Sequence, residues 1–361
     1  MPKKVLVLGS YAPSLVNFRG PLLEAIAAAG HELVACAPPE PGWSPREVER
    51  LGARFVPVPL SRTGLNPIRD ARTFRSLKRL FAEERPDVFL GYTAKPVIYG
   101  VLAARAAGVP ASFALVTGLG YAFTAGTELR RRALRHLTMR LYRAALARTS
   151  LVFFQNSDDI QDFRRLGILS PGVRTQRLSG SGVDLRRFPS SPVPEGPTTF
   201  LLIARLVRDK GISEYAEAAR LLKPAWPEAR FVLVGPFDGN PAALSPDEVA
   251  AWQQEGLIDY AGEQKDVRPF LRDCTVYVLP SYREGMPRTV LEAMATGRAV
   301  ITTDAPGCRE TVEPGGNGLL VPVRATSVPS PKQCAASSKT LLRRWRWAPP
   351  AAPWRRSGSM L

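Results

Sequence analysis

Two glutamates eight positions apart occupy the segment of this sequence best suited to chemistry. Glu284 lies in a loop that follows a predicted strand ending at Pro280, and Glu292 lies in a helix predicted to have Pro287 in its first turn. Free backbone N–H groups at a helix N-terminus attract phosphate, and carboxylates accept hydrogen bonds from sugar hydroxyls. The segment therefore indicates a site for a phosphorylated sugar. Taken alone, such a pair is more typical of a helix-start acid and a solvated surface glutamate.

A basic loop in the second half of the chain carries cations suited to a diphosphate. Residues 201–211 are predicted as a strand, a loop and the start of a helix, and Arg205 and Lys210 stand beyond the carboxyl end of that strand. A guanidinium fork and an ammonium group can together neutralise a diphosphate. An ordinary basic loop with surface side chains explains this segment equally well when it is considered by itself.

Alternating strands and helices must position these residues. The predicted strands are 4–8, 32–37, 54–57, 88–91, 111–115, 151–155, 199–203, 231–235, 258–261, 276–280 and 299–303, and the predicted helices include 21–29, 66–84, 96–107, 129–148 and 212–222. Continuous apolar strands indicate parallel sheets with helices on both faces. We therefore predict an α/β protein with two Rossmann-like, doubly wound domains that face a cleft, where ligands bind beyond the carboxyl ends of the strands.

Composition and charge limit the class of protein. The chain has 361 residues, 45% of them hydrophobic, and 49 Lys and Arg against 32 Asp and Glu give a formal net charge of +17. These values exclude a disordered or fibrous protein and leave nucleic acid, an anionic membrane or phosphorylated substrates as partners. No apolar run approaches the ~18 residues of a membrane span. Four cysteines without disulfide or metal-ligand spacing indicate a reducing, cytoplasmic setting.

Several motifs together give the sequence a family resemblance. Residues 3–323 resemble a retaining GT-B glycosyltransferase of family four, and within it the bacterial transferases that use UDP-N-acetylhexosamines to build lipid-linked oligosaccharides or capsule-like glycans. The motifs that carry the family resemblance are 30–31, 181–184 with Phe188, 205–211, 234–236, 280–292 and 317–322, and those that carry the subgroup are 14–20, 93–100 and 117–123. The resemblance implies an acceptor-side domain over 1–180, a linker over 181–197 and a nucleotide-sugar-binding domain over 198–323.

The resemblance also implies how the second domain handles a UDP-sugar. Arg205 and Lys210 are expected to hold the donor diphosphate and to offset charge on the departing nucleotide. Glu284 is expected to contact the donor sugar, and Glu292 to accept hydrogen bonds from the ribose hydroxyls. The family needs no metal, because cations and a helix N-terminus stabilise the leaving group. Retention without a carboxylate nucleophile implies front-face transfer through an oxocarbenium-like state.

Further donor and acceptor residues are expected from the same motifs. Backbone amides at Gly285 and Met286 are expected to complete the phosphate cradle, and the segment from Gly262 to Val267 is expected to border the nucleobase. Gly235 belongs to the motif after the next strand.

The first domain departs from the family pattern. Residues 9–13 stand where many relatives have a Gly-Gly pair, and Ser14 and Asn17 lie in the stretch 14–20 that follows. Neither His31, expected to be structural, nor His136, expected to face solvent or lipid, occupies the position of the family's active-site histidine. Lys95, after the strand 88–92, is our candidate for a polar group in the cleft in place of that histidine. The alternative is that Lys95 is a surface lysine.

The acceptor side is marked by a basic amphipathic helix. Leucines recur through residues 129–141, with arginines between them. Such a helix is suited to anionic lipids at the inner face of the plasma membrane and to a polyprenyl-diphosphate acceptor, with the glycine-rich loop 117–126 beside it. A packed domain helix with a solvated basic face is the alternative.

The last 38 residues do not continue the family pattern. Residues 324–361 contain eight basic residues, no acidic residue and five prolines, so the body up to Val323 carries +17 − 8 = +9. Codons compatible with residues 324–341 spell RDVGSLAKAMRSFIEDPA in a shifted frame, which has the apolar period of a helix. We therefore predict a frameshift after about Val323 and a loss of the C-terminal helices, which genomic DNA would test.

Three other classes of protein compete with this interpretation. A nucleic-acid-binding protein would explain the charge, but no helix-turn-helix, RNP or zinc pattern is present. A GT-B sugar-nucleotide epimerase requires cleft acids that the sequence does not identify. A catalytically impaired, truncated relative is the third alternative.

Overall fold

The computed structural model describes residues 1–61, 66–118, 129–239, 242–313 and 316–323. The chain forms two compact units, of which the first spans Met1–Ser181 and the second begins at Gly182. Each unit has its own parallel sheet with helices on both faces, so the prediction of two Rossmann-like α/β domains is confirmed. The predicted tail, with its proposed frameshift, lies outside the described residues and stays a prediction.

The first unit is built on seven parallel strands in the order β3-β2-β1-β4-β5-β6-β7. The strands are β1 (Lys4–Leu8), β2 (Glu32–Ala37), β3 (Arg54–Pro57), β4 (Val88–Tyr92), β5 (Ala111–Val116), β6 (Leu151–Phe154) and β7 (Thr175–Arg177). The helices are α1 (Pro13–Asn17), α2 (Gly20–Ala28), α3 (Arg46–Glu49), α4 (Pro67–Glu84), α5 (Val101–Ala106), α6 (Leu129–Leu146) and α7 (Ser157–Arg165). Strand β1 pairs with β2 on one side and β4 on the other, so the strand order reverses beside it.

The second unit repeats this plan with six parallel strands in the order β10-β9-β8-β11-β12-β13. The strands are β8 (Thr199–Ile203), β9 (Arg230–Val234), β10 (Asp259–Tyr260), β11 (Val276–Leu279), β12 (Ala299–Thr303) and β13 (Gly318–Val321). The helices are α8 (Ile212–Leu222), α9 (Pro246–Gln254), α10 (Arg268–Asp273) and α11 (Arg288–Ala295). The order reverses beside β8, whose neighbours are β9 and β11, and this places the loops after β8 and β11 next to each other.

Side-chain chemistry explains why these elements form where they do. The residues of β1 from Val5 to Leu8 are buried, as expected for a strand covered on both faces. Helix α4 begins after Asn66, whose side chain accepts hydrogen bonds from the amides of Ile68 and Arg69. Helix α9 begins with a capping box in which Ser245 and Glu248 satisfy each other's backbone amides.

The structure corrects several predicted elements. The helix predicted over 96–107 begins as a π-helical turn, Pro96–Gly100, before α5. Gly100 lies against Phe89, where a Cβ atom would approach the ring to within 2.4 Å. Pro287 is the N-cap of α11 and not part of its first turn. The sequence reasoning did not predict α7, α9 or β7.

No helix among the described residues is both long enough and apolar enough to cross a membrane.

Candidate donor and acceptor sites

The loop that joins β11 to α11 lies against the loop that joins β8 to α8. Residues Arg208–Lys210 form a single 3-10 turn at the end of the β8 loop. The carbonyl of Asp209 accepts hydrogen bonds from the amide of Tyr282 (2.9 Å) and the hydroxyl of Ser281 (3.1 Å). These bonds bring Lys210 to Glu284, and the two side chains form an ion pair. Two residues that the sequence placed in separate motifs therefore meet in one site.

A glycine allows the two loops to come this close. Gly211 has φ +71°, in the left-handed region, and a Cβ atom there would lie 2.1 Å from the carbonyl oxygen of Pro280. Any side chain at this position would push the β8 loop away from the end of β11. The contact between Lys210 and Glu284 therefore depends on a residue without a side chain.

A third loop, after β12, fixes the backbone of Glu284 from the other side. The amide of Glu284 donates a hydrogen bond to the carbonyl of Pro306 (2.9 Å). A Cβ atom on Gly307 would lie 2.3 Å from the carbonyl oxygen of Glu284, so the two segments are in direct contact. Thr302 and Thr303 each donate a hydroxyl hydrogen bond to a carbonyl of the β11 strand or its loop. The loop that carries Glu284 is thus clamped on both sides by hydrogen bonds to its neighbouring loops.

Cys308 is a buried thiol beside this clamp. Burial raises its pKa to about 12, and the charge of Glu284 acts in the same direction, although Lys210 opposes it. The thiol is therefore neutral at physiological pH and packs as a small apolar group.

Arg205 stands beyond the end of β8 and pairs with a carboxylate of the next loop. Its guanidinium forms an ion pair with Asp238, and 47% of its side chain is exposed. Gly235 lies close beneath, because a Cβ atom there would be 1.8 Å from the carbonyl oxygen of Ala204. The described contacts join Arg205 to the β9 loop and not to the Lys210–Glu284 pair.

Glu292 is a buried residue of α11. Its carboxylate accepts a hydrogen bond from Arg288 Nε (2.9 Å). Burial raises the pKa of Glu292, whereas Arg288 and Arg187 oppose that shift. The structure therefore excludes the solvated surface glutamate that the spacing alone allowed.

Tyr277, which the sequence reasoning missed, connects the elements of this site. Its hydroxyl contacts the carbonyl oxygen of Ile203 (3.2 Å) at the end of β8 and Thr289 Oγ1 (2.6 Å) in the first turn of α11. Its ring is fully buried, and burial raises the pKa of the phenol. The sequence indicates this role only by placing a tyrosine in an apolar strand, because a buried hydroxyl requires hydrogen-bond partners.

The remaining predicted donor residues border the same region of the second unit. Gly285 is buried and Met286 half-buried in the β11–α11 loop. Val267 is the N-cap of α10 and packs against the core beneath β11. The expected contacts of these residues to phosphate and base stay predictions.

In the first unit, polar residues gather after β1 and β4. Ser14 is buried and its hydroxyl lies 2.8 Å from that of Tyr92, whereas Asn17 is exposed at the end of α1. Lys95 is not on the surface: its Nζ lies 2.7 Å from Asp70 Oδ1, and only 9% and 7% of the two side chains are exposed. Sequence reasoning missed Asp70, because it lies on α4, 25 residues from its partner.

Arg19 is a second cation that the sequence reasoning did not single out. It is buried, its guanidinium carbon lies 4.8 Å from the centre of the Tyr92 ring, and it donates a hydrogen bond to Ser181 Oγ (2.6 Å).

Helix α6 exposes a basic face over its described side chains. Arg135, His136 and Arg140 are exposed, whereas Thr138 and Tyr142 are buried. The helix is therefore both a packed domain helix and a basic surface. The predicted loop 117–126 lies outside the described residues from position 119 onward.

Among the described residues, no three His, Cys, Asp or Glu side chains cluster as a metal site.

Comparison with protein families gives two matches that together span most of the chain. A model described as "Glycosyl transferase 4-like domain" matches residues 19–175. A model described as "Glycosyl transferases group 1" matches residues 197–343.

The chain is also similar to individual enzymes and solved structures. It is 30% identical over 319 residues to N,N'-diacetylbacillosaminyl-diphospho-undecaprenol alpha-1,3-N-acetylgalactosaminyltransferase of Campylobacter jejuni, covering 85% of this chain and 82% of the relative. It is 27% identical to UDP-Gal:alpha-D-GlcNAc-diphosphoundecaprenol alpha-1,3-galactosyltransferase of Escherichia coli, covering 76% and 71%. The fold resembles sucrose-phosphate synthase from Thermosynechococcus elongatus (TM-score 0.76, 19% identity, 96% and 91% covered) and Anabaena HepE in complex with UDP and glucose (0.71, 17%, 95% and 91%).

Proposed function

The chain belongs to the group 1 glycosyl transferases and has the GT-B fold, and from this premise we propose which sugar and acceptor it joins. The donor is a UDP-sugar, an N-acetylhexosamine in our proposal, and the acceptor is a polyprenyl-diphosphate-linked saccharide of cell-surface polysaccharide assembly. The names of both relatives contain a diphospho-undecaprenol substrate, which supports the acceptor, and the Campylobacter jejuni relative transfers an N-acetylhexosamine. An impaired relative and a GT-B sugar-nucleotide epimerase are the alternatives.

The ion pair between Lys210 and Glu284 carries the proposal. A cation and a carboxylate are held together by three interlocked loops at the carboxyl ends of the strands, where doubly wound sheets bind nucleotides. Lys210 supplies positive charge for the donor diphosphate, with Arg205 beyond the same strand. Glu284 supplies acceptor oxygens for the donor sugar, and Glu292 does so for the ribose.

In the proposed reaction, the bond from the anomeric carbon to the diphosphate oxygen breaks as the acceptor hydroxyl oxygen bonds to the same face. The acceptor proton passes to the departing diphosphate, so retention needs no enzyme nucleophile. Lys210 stabilises the charge that develops on the leaving group. Pre-positioned charges of this kind typically account for about 100- to 1,000-fold in kcat. The proposed transfer uses no metal ion.

Release of UDP from a panel of UDP-sugars, with a diphospho-polyprenyl acceptor, tests the proposal. Lys210→Met and Glu284→Gln are expected to lower kcat/KM by at least about 100-fold. Lys223→Met is the matched control, because this lysine is half-buried on the same unit, like Lys210, and donates a hydrogen bond to the carbonyl of Gly256. Unchanged turnover in either site variant would reject the site. A chain with the restored reading frame, assayed beside the natural one, separates an impaired product from a wrong assignment.

The acceptor proposal includes docking on the membrane. We propose that the exposed arginines of α6 bind anionic lipids at the inner face of the plasma membrane and bring the acceptor within reach. Flotation with phosphatidylglycerol vesicles and with neutral phosphatidylcholine vesicles tests it. Binding only to the anionic vesicles is expected, and equal binding to both would contradict electrostatic docking.

A further inference from the structure

We propose that Arg288 is a positioning residue of the donor site, which holds the carboxylate of Glu292 charged and correctly turned for the ribose hydroxyls. The inference rests on the proposed use of a UDP-sugar. It adds Arg288, which contacts Glu292 directly, to the residues of the donor site.

The place of Arg288 on its helix is electrostatically unfavourable. Arg288 is the first residue of α11, where the helix dipole repels a cation and attracts an anion. It pairs with Glu292 four residues later, and an arginine that precedes a glutamate is the weaker of the two orientations for such a pair. Local helix stability therefore does not explain the arginine. A function that requires Glu292 to have this partner does explain it.

The pair is shielded from water, so its geometry is tightly held. Only 18% of the Arg288 side chain and 10% of the Glu292 side chain are exposed. Most ion pairs at this spacing are solvated and contribute little to stability. Arg79 and Glu83 on α4 form such a pair, with side chains 83% and 59% exposed. In the shielded pair, Arg288 Nε lies 2.9 Å from Oε1 of Glu292 and restricts how the carboxylate can rotate.

The carboxylate must be ionised to accept hydrogen bonds from two ribose hydroxyls. Burial raises the pKa of Glu292, and Arg288 counteracts this shift most strongly. Arg187, from the segment before β8, acts in the same direction, and the charge of Glu292 in turn helps burial to raise the pKa of the Tyr277 phenol on β11. Without Arg288, we expect a larger neutral fraction of Glu292 as pH falls and therefore weaker ribose binding under acidic conditions.

Calorimetric titration of the full chain with UDP and with 2′-deoxy-UDP tests this role. One hydrogen bond to a charged acceptor corresponds to about a 10-fold change in affinity, so the wild-type protein is expected to prefer UDP by at least that factor. In Arg288→Met the preference should fall to about 3-fold or less, and the loss of affinity on acidification should begin at a higher pH. Arg288→Lys should restore part of the preference. Arg79→Met, which breaks an exposed pair of the same spacing, is the matched control.

The outcomes are distinct. If Arg288→Met weakens both nucleotides equally, or leaves the preference and the pH dependence unchanged, Arg288 has only a structural role and the inference is overturned. If the wild-type protein binds UDP without preferring it to 2′-deoxy-UDP, the assigned ribose contact of Glu292 is wrong, and the inference falls with it. If the wild-type protein binds no UDP, the proposed donor itself is rejected.

Discussion

Replacing Lys95 by methionine tests whether this lysine holds the first unit together or serves the substrate. Lys95 Nζ lies 2.7 Å from Asp70 Oδ1, and both side chains are more than nine-tenths buried. At that 2.7 Å separation the attraction is about 6 kcal/mol for an effective dielectric constant of about 20. Removing one partner of such a pair costs about 3–5 kcal/mol, because the other charge remains buried. The Tyr99 hydroxyl also bonds to Asp70 and remains as its partner, so we expect Lys95→Met to cost about 3 kcal/mol of stability, the lower end of this range.

Hydrogen exchange of the full-length protein, measured by mass spectrometry, detects this loss of stability in the segments around Lys95 and Asp70. A loss of about 3 kcal/mol corresponds to roughly 100-fold faster exchange of the most protected amides in α4 and β4. The double variant Asp70→Leu with Lys95→Met removes both charges and should recover most of the protection, because an apolar pair can replace a buried ion pair. Lys78→Met, at an exposed lysine of the same helix, is the control.

Two results would refute the reasoning. Unchanged exchange in Lys95→Met would mean that the pair does not stabilise the unit. If the double variant is as protected as the wild-type protein but has lost all transferase activity, then Asp70 or Lys95, our candidate for a polar group in the cleft, contacts the substrate.

Three further predictions follow from contacts in the second unit and from the proposed reaction. Tyr277→Phe leaves the carbonyl of Ile203 and the hydroxyl of Thr289 without their shared partner. We therefore expect the free energy of unfolding in urea to fall by about 1–3 kcal/mol and the KM for the donor to rise. An unchanged KM would contradict the connecting role of Tyr277. Burial raises the pKa values of Cys274 and Cys308 to about 12, so iodoacetamide at pH 8 should label neither thiol until the chain is unfolded, which peptide mapping would check. Removal of divalent cations with EDTA should leave UDP release unchanged, and a loss that magnesium restores would show that the reaction needs a metal.

The sequence predicted the fold well because its signals are local. The strand Thr199–Ile203 was predicted with the observed bounds, since an apolar run between turn residues specifies a buried strand. Helix α4 was predicted to within one residue, because Asn66 and Pro67 mark its start. Helix α7 was missed because its polar sequence, SDDIQDFRR, offers few apolar residues to indicate a buried face.

The candidate site was only partly predictable, because its contacts join distant positions. The motifs identified Lys210 and Glu284 separately, and only the fold shows that residues 74 positions apart form an ion pair. The same holds for Lys95, whose partner lies on another helix. Arg205 was predicted to act with Lys210, but its pairing with Asp238 depends on the course of the β9 loop, which no sequence period encodes.

The carbonyl of Asp209, shared by Tyr282 and Ser281, has a consequence for how this enzyme can diverge. An inserted residue in any one of the three interlocked loops would separate contacts that the other two loops need. Loop lengths in the second unit are therefore expected to vary together or not at all among descendants of this chain. New acceptor preferences would then arise more readily from changes outside these three loops.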